Sequence, residues 1–154
     1  MRSGVVAKTK SKWYFTDPCI ATATLHLKSE NLLEDLNSFG FYFENLVIRD
    51  LRTYADIMGG KVFFYTDTNN LDIDAIVELP GGKWSIFEIK LGGFENIKKS
   101  LINIDRFLKK VNDFKKKQLI SINVITAGSE SFLMKTNNGL NVNVIPLDQL
   151  YIDS

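Results

Sequence analysis

Apolar residues recur at helical spacing in two long segments of the chain. Between residues 41 and 58, Phe43, Val47, Leu51 and Tyr54 fall at i, i+4, i+8 and i+11, with Leu46 and Ile57 beside them. That periodicity predicts a helix, and Gly59-Gly60 supplies its stop. Gly40 is expected to kink this helix or part it from a preceding one capped by Ser29 and carrying Leu32, Leu33 and Leu36. The second segment, residues 94–111, places Phe94, Ile97, Leu101, Ile104, Leu108 and Val111 on one face.

Strand patterns fill the space between the two helices. Residues 61–66 (KVFFYT) are aromatic and β-branched, and Thr68-Asn69-Asn70 is turn chemistry. Residues 71–79 alternate: Leu71, Ile73, Ala75, Val77 and Leu79 on one face, Asp72, Asp74 and Glu78 on the other. Pro80-Gly81-Gly82 turns the chain into residues 83–91, so these last two strands form a hairpin. Residues 119–127 are apolar enough for a strand buried on both faces. Weaker strands at 132–135 and 142–145 surround an Asn137-Asn138-Gly139 turn. Near the start, residues 12–16 (KWYFT) predict a short strand. Asp17-Pro18 predicts a cap for a helix over 20–27. Residues 1–11 are polar and are read as disordered or as an expression remnant. The expectation is one α/β domain over 12–154, with a core in the order αβββαβ and a mixed central sheet flanked by helices.

Composition narrows the functional classes. The chain has 154 residues, 45% hydrophobic and 24% charged, with a formal net charge of +1. No global field therefore draws it to nucleic acid or membrane, and any nucleic-acid contact must come from a local basic patch. One cysteine, Cys19, cannot form an intrachain disulfide, and one histidine, His26, falls short of a His-rich zinc site. Both are expected to be structural. No stretch approaches the roughly 18 apolar residues of a membrane span, and the N-terminus lacks the apolar run of a signal peptide. A cytoplasmic protein is expected. No G-x-x-x-x-G-K-[ST] or G-x-G-x-x-G motif occurs, so no nucleotide site is expected; Gly59-Gly60-Lys61 and Gly81-Gly82-Lys83 are turns.

Three charged residues stand inside otherwise apolar strands. Strand alternation puts Glu88 and Lys90 on one face, away from Phe87 and Ile89, and the hairpin can bring Asp74 to them. An unpaired charge there would be costly, so something must satisfy the group. Two readings fit. Lys90 pairs with Glu88 or Asp74 on an ordinary solvated sheet face, or the carboxylates hold Mg²⁺, which favours hard oxygen ligands. In the second, Lys90 orients the attacking water or neutralises charge, and Glu44 on the first long helix adds an outer ligand or holds a water.

The run LDIDAIVELPGGKWSIFEIKLGG, residues 71–93, resembles the signature of a C-terminal domain found behind AAA-type ATPase domains (domain of unknown function 4143). So do GFYFENLVIRDLRTYADIMGGKVFFY, residues 40–65, and more loosely YFTDPCIATATL near the start, with ITAG and NVIPLDQLY matching the final strands. The resemblance implies a restriction-endonuclease-like core of the PD-(D/E)XK superfamily. Residue by residue, it implies metal ligation by Asp74, Glu88 and the backbone carbonyl of Ile89. Lys90 would complete the (D/E)XK element, and Glu44 would be the helical acid. The proline of the PD pair is absent, since Ile73 precedes Asp74. The implied activity is Mg²⁺-dependent phosphodiester cleavage of DNA. The alternative is a catalytically inactive nucleic-acid- or protein-binding module that targets an associated ATPase. That ATPase portion is expected on the same polypeptide, this chain being an excised or truncated C-terminal part.

Lys98, Lys99, Arg106, Lys109, Lys110 and Lys115–Lys117 make the second helix and its end basic. Cations are favoured at a helix C-terminus on a solvated face. The functional alternative is a phosphate track beside the active face, using Lys98, Lys109, Lys110 and Lys115. Trp13, Trp84 and the phenylalanines are expected in the core rather than as base-stacking platforms.

Overall fold

The computed structural model describes residues 35–150. The expected strand at 12–16, the helix at 20–27, the Ser29 cap, and Trp13, Cys19 and His26 lie outside the described residues. So do residues 1–11.

Helix α1 runs over Leu36–Ile57, capped by Asp35, whose carboxylate accepts the amides of Asn37 and Ser38. It passes through Gly40 without a break, contrary to the expected kink. Gly40 instead lies where α1 crosses the chain beyond the third strand: a Cβ there would stand 3.7 Å from Leu91 Cδ1. Then come β1 (Lys61–Thr66), β2 (Asp72–Glu78), a 3₁₀ turn at Pro80–Gly82 and β3 (Trp84–Lys90). Helix α2 spans Phe94–Leu108, stopping short of Val111, and Asn112 caps the single turn α3 at Asp113–Lys116. Strands β4 (Leu119–Thr126), β5 (Phe132–Lys135) and β6 (Asn141–Pro146) complete the order.

The six strands form one mixed sheet in the order β1-β2-β3-β4-β6-β5. Strands β1, β2 and β3 are joined antiparallel, while β4 lies parallel to both β3 and β6. The α/β class, with helices flanking a mixed sheet, is as the sequence predicts. Each face carries its own apolar cluster. Ile97, Leu101, Ile104 and Phe107 of α2 pack with Ile73, Ile86, Ile122 and Val124. Phe43, Val47, Ile48 and Leu51 of α1 pack with Ala75, Val77, Ile89 and Ile125. Strand β4 contributes to both clusters, which is why its sequence is almost continuously apolar.

The alternation predicted for β2 breaks in the middle. Phe63 pairs with Ile76 but Tyr65 pairs with Ile73, so Asp74 and Ala75 together stand opposite Phe64. This is a β-bulge. It sends Ile73 to the α2 side while Ala75 and Val77 go to the α1 side, where simple alternation put all three on one face.

Candidate functional site at the parting of two strands

The bulge sits where β2 and β3 separate. Their ladder ends at Ala75 opposite Phe87. Beyond it the Asp74 side chain takes the place of a strand partner: its carboxylate accepts the Ile89 amide at 2.9 Å. Lys90 Nζ lies 2.8 Å from the same Asp74 oxygen and 3.1 Å from Glu88 Oε2. The three residues thus form one cluster, with an ammonium bridging two carboxylates.

Burial makes this cluster unusual. Glu88 is 1% exposed and Asp74 9%. Glu88 Oε1 has no hydrogen-bond partner. Burial, then the neighbouring Asp74 carboxylate, push the Glu88 acid up to about 7, against the pull of Lys90. Ser100 of α2 lies near enough to the Glu88 carboxyl for its hydroxyl to oppose that rise, although as it stands the hydroxyl donates to the Asn96 carbonyl at 3.4 Å. Burial alone would lower the Lys90 ammonium, but Asp74 and Glu88 outweigh it and raise it well above the ordinary lysine range.

Lys90 opens onto a cleft of about 640 Å³ between α1 and the start of α2. Gly40, Phe43 and Glu44 line one wall, Gly92, Gly93 and Asn96 the other. Gly93 takes φ of +84°, a backbone turn that suits glycine and lets β3 run straight into α2. Glu44 is therefore brought to the same cleft as Lys90. Among the described residues, however, no three His, Cys, Asp or Glu side chains gather into a metal-holding group. The cluster itself offers two carboxylates.

The basic residues divide between the two ends of the molecule. Lys98 lies one turn into α2, near the cleft, 3.4 Å from Glu95 and with Nζ 4.4 Å from the centre of the Phe94 ring. Lys110 bonds the Asp67 carboxylate, and Lys109 precedes it at the far end of α2. Lys115 Nζ is 3.9 Å from Glu78, and its carbonyl accepts the Trp84 indole N–H at 2.7 Å. Trp84 opens β3 and Lys90 closes it, so Lys115 stands roughly 20 Å from the cluster along the strand. The structure therefore does not gather Lys109, Lys110 and Lys115 beside the carboxylates. Trp84 and Phe107 are core residues, with ring centres 6.2 Å apart.

One participant escapes sequence reasoning, and one expected core residue lies elsewhere. Ser100 lies on the buried face of α2 but carries no motif. Phe94, expected on that same buried face, is 57% exposed at the first helical position.

The residues that build α1, the sheet and α2 are also those that match a known family model, over residues 39–150. The chain belongs to the family described as a domain of unknown function (DUF4143). No curated protein matches it. The family's description assigns no activity. Among the described residues no helix is long and apolar enough to cross a membrane.

Proposed function

We propose that this domain is a PD-(D/E)XK nuclease-like module that cleaves phosphodiester bonds in DNA with the help of Mg²⁺, and that it serves an AAA-type ATPase. The observation that carries the reading is the Glu88 carboxyl: fully buried, one oxygen orphaned, and set against Asp74 with only Lys90 between them. Leaving such a group unsatisfied is costly, and a hard divalent cation is the partner that two carboxylates best suit. Asp74, Glu88 and the Ile89 carbonyl would hold it. When bound, such an ion lowers the pKa of a coordinated water and stabilises negative charge on a phosphoryl oxygen.

The chain's own residues supply the rest. Lys90 presents a fixed positive charge on the cleft side of the carboxylates, where a phosphate oxygen would lie. Glu44, which lines the same cleft, would align a water there. The bulge at Asp74 and the strand gap beside Ile89 fix the acid's direction without relying on a loop.

A second reading also has an observation in its favour. Lys90 already bridges both carboxylates, so the cluster balances much of its own charge and would suit a catalytically silent module that binds nucleic acid or protein for the ATPase. One experiment separates the two. Mg²⁺ and Mn²⁺ uptake is measured by calorimetry, and cleavage is followed on linear, nicked and branched DNA, with Lys90→Ala and Glu88→Gln beside the parent. Metal-dependent cleavage lost in both variants is the expected result. No metal uptake at millimolar concentration would sink the nuclease reading and leave the binding module.

A further inference from the structure

Ser100 is fully buried, yet its hydroxyl has no good partner on its own helix. It donates to the Asn96 carbonyl at 3.4 Å, longer than the roughly 2.5–3.0 Å of an ordinary hydroxyl bond. Alanine would fill much the same space and is the better helix former, so packing alone gives no reason for a hydroxyl here. The position does. Ser100 lies between Ile97 and Ile104 on the inner face of α2, and both isoleucines pack in the cluster that holds Trp84 and Ile86 of β3. Glu88 shares the strand face of Trp84 and Ile86, so its side chain projects toward α2. Ser100 and Glu88 therefore meet across the interface of helix and sheet, with the hydroxyl near enough to act on the carboxyl.

Each of the two lacks what the other offers. Glu88 Oε2 meets Lys90, while Oε1 is buried and has no hydrogen-bond partner among the described residues. Ser100 carries a donor held only by a stretched bond, and turning it from Asn96 to Glu88 takes side-chain rotation alone. We propose that Ser100 is a positioning residue: its hydroxyl donates to Glu88 Oε1 and fixes the plane of the carboxylate, so that the remaining lone pairs face Asp74 and Lys90. A carboxylate offers about four lone-pair sites, so a hydroxyl on Oε1 leaves room for a hard divalent cation. Presenting the carboxylate to such a cation rests on the nuclease reading; the hydrogen bond itself does not.

Two measurements on the full chain test this. In chelator at pH 8, urea unfolding compares the parent, Ser100→Ala, Glu88→Met and the double variant. Methionine keeps the length of glutamate without its oxygens, and alanine suits a helix interior, so both variants are expected to fold. Ser100→Ala should lower the urea midpoint of the parent and leave that of Glu88→Met unchanged, because the hydroxyl has no partner left to lose there. Equal falls in both backgrounds overturn the proposal and leave Ser100 bonded to Asn96. Calorimetry with Mn²⁺ then reads the carboxylate's aim. Ser100→Ala should bind about tenfold more weakly or worse, with Ser100→Cys, a weaker donor of similar shape, in between. An affinity in Ser100→Ala equal to the parent's overturns the positioning role. A parent that takes up no Mn²⁺, with the urea coupling present, overturns the nuclease reading and keeps Ser100 as the residue that holds Glu88.

Discussion

Glu88 shows how much one buried acid decides. In metal-free buffer below about pH 4.5 it is protonated in both the folded and the unfolded chain, and its pH-linked contribution is neutral. As pH rises toward about 7, the unfolded carboxyl ionises while the folded one keeps its proton, so stability falls. Above pH 7 the deficit levels off, on the order of 3 kcal/mol. Glu88→Gln should remove that slope, and urea unfolding at pH 4.5, 6 and 8 would show it; parallel profiles for parent and variant would contradict the assignment. Lys90 works in the opposite sense. Lys90→Met keeps the aliphatic stem but leaves two carboxylates facing each other, and is expected to cost about 2–4 kcal/mol at pH 8. The loss should shrink at pH 5, where Glu88 takes up a proton; a loss independent of pH would mean that the ammonium does not offset Glu88.

At the scale of elements, the site exists because β2 and β3 stop pairing one residue before the charges. Glu88 and Lys90 were legible as residues sharing a strand face, since β3 keeps strict alternation from Trp84 to Lys90. The direction of Asp74 was not, because a bulge is a property of two paired strands and leaves no mark in either one alone. Gly60 is a second case of position set by a neighbour. It joins α1 to β1, and a Cβ there would lie 2.6 Å from the Glu78 carbonyl oxygen and 2.9 Å from Leu79 Cδ2. The Glu78 contact is backbone and cannot swing away, so Gly60→Ala should cost about 1–3 kcal/mol, read as a fall in Tm. An unchanged Tm would mean that the α1–β1 junction yields freely.

Across the whole molecule, the sheet is a single layer with a core on each side, and β4 belongs to both. Ile73 and Ile125 are fully buried on opposite faces. Ile73→Ala and Ile125→Ala should each cost about 2–5 kcal/mol while keeping one cooperative transition, because neither core persists without the shared strands. Two separate transitions in calorimetry would show that the faces unfold independently. At this scale the basic residues also find their places: Lys98 near the cleft, Lys110 and Lys115 tied to Asp67 and Glu78 at the other end. A sequence count of lysines could not separate these, since α2 alone is about 22 Å long and Lys110 and Lys115 lie beyond its far end.

Periodicity, turn residues and caps, read along the chain, were enough for two long helices around three antiparallel strands and for an apolar strand buried on both faces. These are local matters, governed by spacing and by the cost of exposing apolar surface. Helix ends were less legible: α1 begins earlier than its apolar stripe and α2 ends before Val111, because caps and packing rather than periodicity set the last turns. Only the tertiary structure decided that Asp74 bonds the Ile89 amide, that Glu88 loses all contact with water, and that Phe94 stands outside the core it was expected to join. Each of those depends on what lies across a strand gap or beyond a helix end, and distances between segments far apart in sequence are set only when the sheet closes.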